Sequence, residues 1–319
     1  MKKPIESKES QFTQRIKSIY PLDFEPVLKT HSVDLPKSFR INNFKSQPKV
    51  VIESLRVQGF EIIKGKLPNS YICLNSSSTL RLSESQEAIS MHIYIQELSS
   101  MIPALILNLR QGEKILDLCA APGSKTTQMA DALKNKGEII AVEQNRDRWF
   151  KLMQILKAYG AESKALNENG KILPYKYKNY VQYFDKILID APCSNEASLD
   201  FRNANSFKYW RSSNSSNLSK LQKGLLSSAI TMLKPGGTLI YSTCTYAVEE
   251  NEKVIEWAIK RFPEMKVEEF ITELPIANIH SGLVEYKDKK IDERLKGTVR
   301  IIPDGEFKGF YIAKLKKLA

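Results

Sequence analysis

Lys114-Ile115-Leu116-Asp117-Leu118-Cys119-Ala120-Ala121-Pro122-Gly123-Ser124-Lys125-Thr126 is the stretch that decides how this chain folds. A short apolar run ends in an acid, and a loop of small residues then leads into a helical pattern. A buried strand turning sharply into a helix reads this way, and the small residues let a ligand lie against the backbone. Gly123-Ser124-Lys125-Thr126 is close to a phosphate cradle but fails it, because G-x-x-x-x-G-K-[ST] needs a glycine directly before the lysine; G-x-G-x-x-G fails as well.

Working outward, further runs rich in Ile, Leu and Val follow at Glu138 to Val142, Lys186 to Asp190 and Thr238 to Ser242, with a weaker one at Ser163 to Leu166. Between them Trp149, Leu152, Met153 and Leu156 repeat at helical spacing, as do Leu218, Leu221, Leu225, Ala229 and Met232. Strand and helix alternating in this way predict a parallel sheet covered on both faces. Lys234-Pro235-Gly236-Gly237 supplies a turn into the strand at Thr238, and Gly309 to Leu315 reads as one more strand. Before residue 85 the pattern changes. Ser38 to Asn42, an amphipathic helix at Val50 to Val57 stopped by Gly59, then Glu61 to Lys64 and Tyr71 to Leu74 predict a small β-α-β unit. The expectation is an α/β chain with a small α+β domain at residues 1–90 and a doubly wound, mostly parallel sheet at residues 91–319.

Composition agrees with a folded chain of two units: 319 residues, 42% apolar and 26% charged. The apolar run Met101 to Leu107 is far short of the ~20 residues a membrane span needs, and Met1 to Ser10 carries lysines with no apolar stretch behind them. A cytoplasmic protein without membrane attachment is expected. Four cysteines, Cys73, Cys119, Cys193 and Cys244, form no C-x-x-C pair and the chain holds only 3 histidines, which argues against zinc and a disulfide framework. Cys73 and Cys119 fit buried small hydrophobes.

The net charge of +12 is uneven. Phe201 to Lys234 contains six basic residues and no acid, and Asn169 to Phe184 contains three lysines, Tyr175, Tyr177, Tyr180 and Tyr183, and no acid. Such stretches suit a phosphate backbone, with the tyrosines, Phe207 and Trp210 free to stack on bases. They equally suit a solvated face over core aromatics, and the stretches alone leave both readings open.

In open parallel sheets, ligands bind outside the carboxyl ends of the strands. Those ends carry the small-residue loop, Glu143, Asp190-Ala191-Pro192-Cys193-Ser194 and Ser242-Thr243-Cys244-Thr245. An acid at Glu143 can accept from both hydroxyls of a ribose, so loop and acid together point to a nucleoside cofactor. Two thiols brought to one pocket from adjacent strand ends suit covalent catalysis better than metal binding.

At these residues the chain resembles the Nop/Sun (Fmu-like) RNA cytosine-5 methyltransferases, whose fold is the Rossmann-like class I methyltransferase sheet. The likeness rests on Asp117 to Thr126, Asp190 to Ser194 and Tyr241 to Thr245 with Glu249-Glu250-Asn251-Glu252. It extends to Arg40 to Lys45, Gln96 to Pro103, Arg202-Asn203, Leu221-Gln222-Lys223 and Gly309 to Lys314, covering about residue 36 to the end. The resemblance implies S-adenosylmethionine on Cys119, Ala120, Ala121, Pro122, Gly123 and Lys125, with Glu143 on its ribose and Arg148 nearby. Asn169 stands where an Asp usually meets the adenine amino group. Asp190 and Pro192 would line the junction of cofactor and base, Cys244 would be the nucleophile, and Cys193 would assist product release. Two further departures are Ser124 and Asn195, where the family commonly has glycines that ease a close backbone approach. The implied partner is structured RNA, rRNA ahead of tRNA, bound by a monomer without metal. The rival expectations are a non-catalytic RNA-binding or ribosome-assembly factor that keeps the fold, and a methyltransferase acting on DNA.

Overall fold

A computed structural model describes residues 7–319, so part of the lysine-bearing start, residues 1–6, lies outside the described residues. Two helices, α1 (Lys8–Ile19) and α2 (Phe24–Thr30), precede a small sheet. It is built from β1 (Lys37–Ile41), α3 (Pro48–Val57), β2 (Ile62–Lys64), β3 (Ser70–Cys73), α4 (Gln86–Ile89) and β4 (Ile93–Ile95). α3 opens on Pro48, whose fixed φ suits a first helical turn, and buries Val51 and Leu55 against Phe39, Ile41 and Ile62. The strand order is β2-β3-β1-β4 with every pair antiparallel. The expected β-α-β unit is therefore present in split form: β1 and β2 run parallel across α3, and β3 is inserted between them.

Residue 90 does not separate the two units. β4 lies beyond it and pairs with β1, Phe39 opposite Ile95. α1 and α2 bury Phe12, Ile16 and Val27 in the core of the larger unit, where Phe12 meets Phe207, Trp210 and Tyr246 edge-on or tilted. We therefore propose a small unit of residues 37–95, with residues 8–31 belonging to the larger one.

The larger unit continues with α5 (Leu98–Ile106), β5 (Lys114–Asp117), α6 (Ser124–Leu133), β6 (Glu138–Val142), α7 (Arg146–Tyr159) and β7 (Lys164–Leu166). It goes on through α8 (Leu173–Lys176), β8 (Phe184–Asp190), α9 (Asn214–Met232), β9 (Leu233–Thr243) and α10 (Glu252–Arg261). The last strands are β10 (Met265–Val267), β11 (Ile279–Ser281), the hairpin β12 (Glu285–Tyr286) and β13 (Lys289–Lys290), β14 (Val299–Ile301) and β15 (Phe310–Lys317). Among the described residues these form a nine-stranded sheet of order β11-β14-β15-β9-β8-β5-β6-β7, with β10 on β15. β7, β6, β5, β8 and β9 are mutually parallel, while β15 runs antiparallel to β9. The chain grows from β5 to β7 in one direction and then returns to add β8 and β9 on the other side. Strand order thus reverses between β5 and β8, and their carboxyl ends frame a crevice. α7 is bounded as its sequence dictates: Asn145 caps the Arg148 N–H at 3.0 Å, and Gly160 ends the helix at φ 86°. The residues expected to turn into β9 lie inside it, with Gly236 at φ 73°.

One side chain ties the two units together. Arg40 of β1, 1% exposed, donates to Gln96 Oε1 (2.7 Å), the Tyr159 hydroxyl (3.1 Å), the Ser124 carbonyl (2.8 Å) and Thr127 Oγ1 (3.0 Å). Its guanidinium also lies 5.3 Å from the Tyr94 ring centroid and 5.7 Å from that of Tyr159. A planar fork can serve all these acceptors together, whereas an ammonium cannot. Arg40→Lys should therefore lower unfolding stability by roughly 3 kcal/mol, read from urea midpoints, because buried acceptors at the start of α6 lose their donor. An unchanged midpoint would show that the small unit is held some other way.

Candidate active site

β8 and β9 pair in parallel with Asp190 opposite Ser242, so the loops leaving them start side by side. Cys193 and Cys244 follow on those loops, and their sulfurs are 3.3 Å apart, both as free thiols. The contact with the Cys244 sulfur, then burial, push the Cys193 thiol well above its ordinary pKa. Cys193 therefore holds its proton and can donate it toward the Cys244 sulfur. In turn the Cys244 thiol donates to Asn195 Oδ1 at 3.0 Å. Asn195 has φ 55°, a left-handed conformation in which glycine is unstrained and Asn is among the best tolerated alternatives. Ser124 needs no such freedom, since it sits inside α6 and the left-handed residue is Gly123 at φ 116°.

Glu249-Glu250-Asn251-Glu252 fixes both thiol loops. Glu250 Oε2 accepts from the Ser194 N–H and from Gln222 Nε2, both at 3.0 Å, and Gln222 also donates to the Pro192 carbonyl at 2.9 Å. Asn251 donates to the Thr245 carbonyl (2.9 Å) and accepts from Thr243 Oγ1 (2.6 Å), which holds the backbone on either side of Cys244. Glu249 pairs with Arg15 at 2.6 Å, and Arg15 also reaches Glu196 at 3.1 Å, whose other oxygen accepts from Thr245 Oγ1. Glu252 pairs with Arg300 at 2.5 Å, both fully buried. Gln222 and Glu250 belong to segments that carry the family likeness, but the sequence alone assigns them no role, and the structure gives them one as supports of this loop.

Beside the thiols a cavity of about 280 Å³ opens at the strand-order reversal. Cys119, Ala121, Glu143, Arg148, Asp190 and Pro192 reach it, as do both thiols. Its apolar wall is Leu118, Val142, Leu221 and Leu225, and Gln144, Glu168 and Gly170 also face it, none of them singled out in advance. In the sequence Leu221 and Leu225 are positions of a helical repeat, Leu221 also part of the family likeness, and neither is named there as lining a site. Gly170 is closely packed there, since a Cβ would meet the Leu225 side chain at 2.9 Å and that of Leu118 at 3.1 Å and push on the apolar wall. Glu143 Oε1 accepts from the Asn145 N–H at 2.8 Å, and Oε2 pairs with Arg148 at 3.1 Å, leaving lone pairs for further donors. Arg148 also holds the Ala121 carbonyl at 2.7 Å. Burial pushes the Cys119 thiol well up, which keeps it neutral.

The remaining expected residues stand behind or beside this wall. Ala120 is buried under the loop, and Pro122 lies exposed on it. Lys125 bridges Asp190 Oδ2 (2.6 Å) and Ser100 Oγ (2.7 Å), while Ser242 Oγ donates to Asp190 Oδ1 at 2.8 Å. Asn169 Oδ1 accepts from the Lys171 N–H at 3.0 Å, capping a turn between the two residues that face the cavity. An apolar slot with an acid at one end and a positive group beside it suits a nucleoside-bearing ligand of the adenosyl type. The aromatic reading needs correction: Phe207, Trp210 and Tyr180 are 1%, 5% and 5% exposed, so core packing has claimed them and they cannot stack on bases. Among the described residues no cluster of His, Cys, Asp and Glu is placed to hold a metal, and no helix is long and apolar enough to cross a membrane.

This strand order, with its crevice at the reversal, defines a class I methyltransferase fold, here carrying two thiols at the mouth of the crevice. The chain belongs to the 16S rRNA methyltransferase RsmB/F family, whose model matches residues 104–316. Over 304 residues it is 31% identical to a Klebsiella pneumoniae protein named ribosomal RNA small subunit methyltransferase F, covering 93% of this chain and 61% of that one. The chain thus spans about three fifths of that relative's length. It is 38% identical over 224 residues to a Pyrococcus abyssi tRNA (cytosine(49)-C(5))-methyltransferase, covering 70% of this chain and 69% of the relative. Among solved structures, a methyltransferase homolog protein from Pyrococcus horikoshii superposes with a TM-score of 0.79 at 28% identity, covering 97% of this chain and 95% of that one.

Two predictions arise from these groups. Cys193 should react slowly with iodoacetamide at pH 8, and Cys244→Ala, which removes the first cause of its raised pKa, should speed Cys193 labelling several-fold by mass spectrometry. Equal rates in both proteins would show that the sulfur contact does not hold the proton. Asp117, 1% exposed, is pushed up to about 6 by burial, against the donated hydrogen bond from Thr126. The folded state then binds the proton more tightly than the unfolded state does. Stability should fall as pH rises from about 4 to about 6, by on the order of 3 kcal/mol at ~1.4 kcal/mol per unit. Asp117→Asn should lose this component, so the gap between variant and parent in urea midpoints should change between pH 4.5 and 7.

Proposed function

We propose that the chain is an S-adenosylmethionine-dependent RNA cytosine-5 methyltransferase acting on structured RNA, rRNA ahead of tRNA. One observation carries the proposal: two free thiols 3.3 Å apart at the mouth of a cavity suited to a nucleoside. The names of the Klebsiella and Pyrococcus abyssi relatives support the substrate class.

C5 of cytosine is a poor nucleophile, so a thiolate must add to C6 and push the electron pair onto C5. We assign that addition to Cys244. Cys193, as the protonated neighbour, hydrogen-bonds the Cys244 sulfur and stabilises its charge both before addition and on departure. Asp190, from the neighbouring strand end, is the group assigned, in its protonated form, to donate a hydrogen bond and then its proton to N3 of the base as the thiolate adds. Cys119, Ala121, Glu143, Arg148 and Pro192 would hold S-adenosylmethionine, with Gly123 and Lys125 shaping the loop and Asn169 capping the turn that carries Gly170 to the cavity. When bound, that cofactor supplies the electrophilic methyl group taken up by C5. After transfer the C5 proton passes to water, its bonding pair restores the C5–C6 double bond, and the C6–S bond breaks with its electrons returning to Cys244. The base must leave its stack to reach these groups, which favours loops or locally opened RNA.

The test mixes Cys193→Ala with S-adenosylmethionine and total RNA from a strain lacking the native protein, followed by a denaturing gel. A covalent protein–RNA adduct should accumulate and should disappear when Cys244→Ala is added. No adduct alongside active wild type would overturn the thiol roles; wild type inactive on every RNA form and on DNA would leave a non-catalytic RNA-binding factor.

A further inference from the structure

Beside Cys193 lies a second cleft, of about 570 Å³, between the loop after β8 and the start of α9. Cys193 and Asn195 line both this cleft and the cofactor-sized cavity, so the spaces meet at Cys193, whose sulfur touches that of Cys244. The volume is within the range of small-ligand clefts.

The rim of this cleft is built in an unusual way. Phe207 and Trp210 are driven into the core, Trp210 Nε1 donates to the buried Glu196 at 3.1 Å, and the Lys8 ammonium holds the carbonyls of Phe207 (3.0 Å) and Lys208 (2.5 Å). Between these anchors Tyr209 is 78% exposed, and its backbone carbonyl accepts from Asn214 at 3.2 Å. Lys208 Nζ stands 5.3 Å from the Tyr209 ring centroid. An aromatic ring fixed in water at the edge of a cleft forgoes hydrophobic burial, and a flat partner on its free face would recover it. Next to it Arg211 is exposed and makes no ion pair among the described residues. Asp200, the acid lining the cleft, is engaged by Arg202 at 2.9 Å, so it does not oppose an incoming anion there. A flat apolar face joined to an anion within one residue's reach is the chemistry of a nucleotide.

We propose that this cleft is a nucleotide subsite in which the base next to the target cytidine in single-stranded RNA stacks on Tyr209 and its phosphate meets Arg211. The subsite rests on the RNA-methyltransferase reading and adds to it the side from which the strand arrives: the target base comes to the sulfurs through this cleft. Stacking there tolerates any base, so Tyr209 contributes affinity and strand position, while sequence choice lies elsewhere.

Fluorescence anisotropy of the full chain with a labelled single-stranded RNA of about ten nucleotides and mixed sequence tests this. Tyr209→Ala should weaken binding about 10-fold with its salt dependence unchanged, and Tyr209→Phe should stay within about 2-fold of wild type. Arg211→Ala should reduce the slope of log K against log salt by about 0.7, the value for one phosphate on a single strand. The subsite is overturned if Tyr209→Ala binds as wild type does, if Tyr209→Phe falls as far as Tyr209→Ala, or if the loss follows Tyr175→Ala instead. It is also overturned if an unlabelled basic or acidic peptide, and not RNA, competes at the cleft. Wild type failing to bind the probe removes both the subsite and the RNA reading. Wild type that binds RNA and forms the Cys193→Ala adduct, with Tyr209 indifferent, removes the subsite alone.

Discussion

The parallel hydrogen bonding of β8 to β9 is the constraint on which the site depends. Neighbouring strands lie about 4.8 Å apart. With Asp190 opposite Ser242, the chains leaving the two strands have no freedom to begin further apart. Cys193 and Cys244 then need only short loops to meet, and the Ser242 hydroxyl on Asp190 links the same two strand ends. A register slip of one residue would break the pairing of Asp190 with Ser242 and displace the start of one thiol loop relative to the other. The sheet thus sets the spacing of the thiols before any side chain refines it.

Refinement comes from buried charge. Glu196, Glu250 and Glu252 have no exposure, and they are arranged so that each holds a backbone or a side chain near the thiols. Burial raises the Glu250 pKa, and the Ser194 and Gln222 donors work against that shift. Buried ion pairs such as Arg300 with Glu252 contribute little net stability against apolar replacements, but removing one partner strands the other. Their effect here is positional: Arg300 ties the antiparallel β14 to the start of α10, and Arg15 of α1 ties the first helix to the thiol loops. α1 therefore belongs to the framework of the site, which explains why it packs on the larger unit and not on the small sheet.

Most of the parallel sheet could be read from the sequence because β5, β6, β8 and β9 are largely buried and appear as dense aliphatic runs, whereas the edge strand β7, partly exposed, gave only a weak one. β6 begins and ends where the residues say it should, at Glu138 and Val142. The loop after β5 and the two cysteine segments were equally plain, since small residues, prolines and thiols after such runs have few other uses. The rest depended on three-dimensional neighbours. Phe207, Trp210 and Tyr180 carry the same composition whether they face RNA or the core, and only the position of α1 and of the sheet decides. The insertion of β3 between β1 and β2 depends on strand pairing, for which short three- and four-residue strands give almost no pattern. Glu249 to Glu252 was legible as part of the family likeness but not as buried, and three of its four residues are fully buried because Arg300, Gln222, Thr243 and backbone donors are there to receive them.

Asn195 shows how the backbone admits a change that looks disruptive in sequence. A left-handed φ costs most side chains roughly 1–2 kcal/mol, and glycine avoids that cost. Asn is the substitute that suffers least, because its short amide can bond locally, and at φ 55° it keeps the turn that carries the chain from Cys193 toward Glu196. The consequence is chemical as well as conformational. Where a glycine would leave open space, this chain presents an amide 3.0 Å from the Cys244 sulfur, with the Cys193 sulfur 3.3 Å away. The reacting sulfur is thereby flanked by two hydrogen-bonding groups, and both also line the two clefts that meet there. A residue that seems a departure in the alphabet of the motif is, in the fold, part of the wall between the ligand spaces.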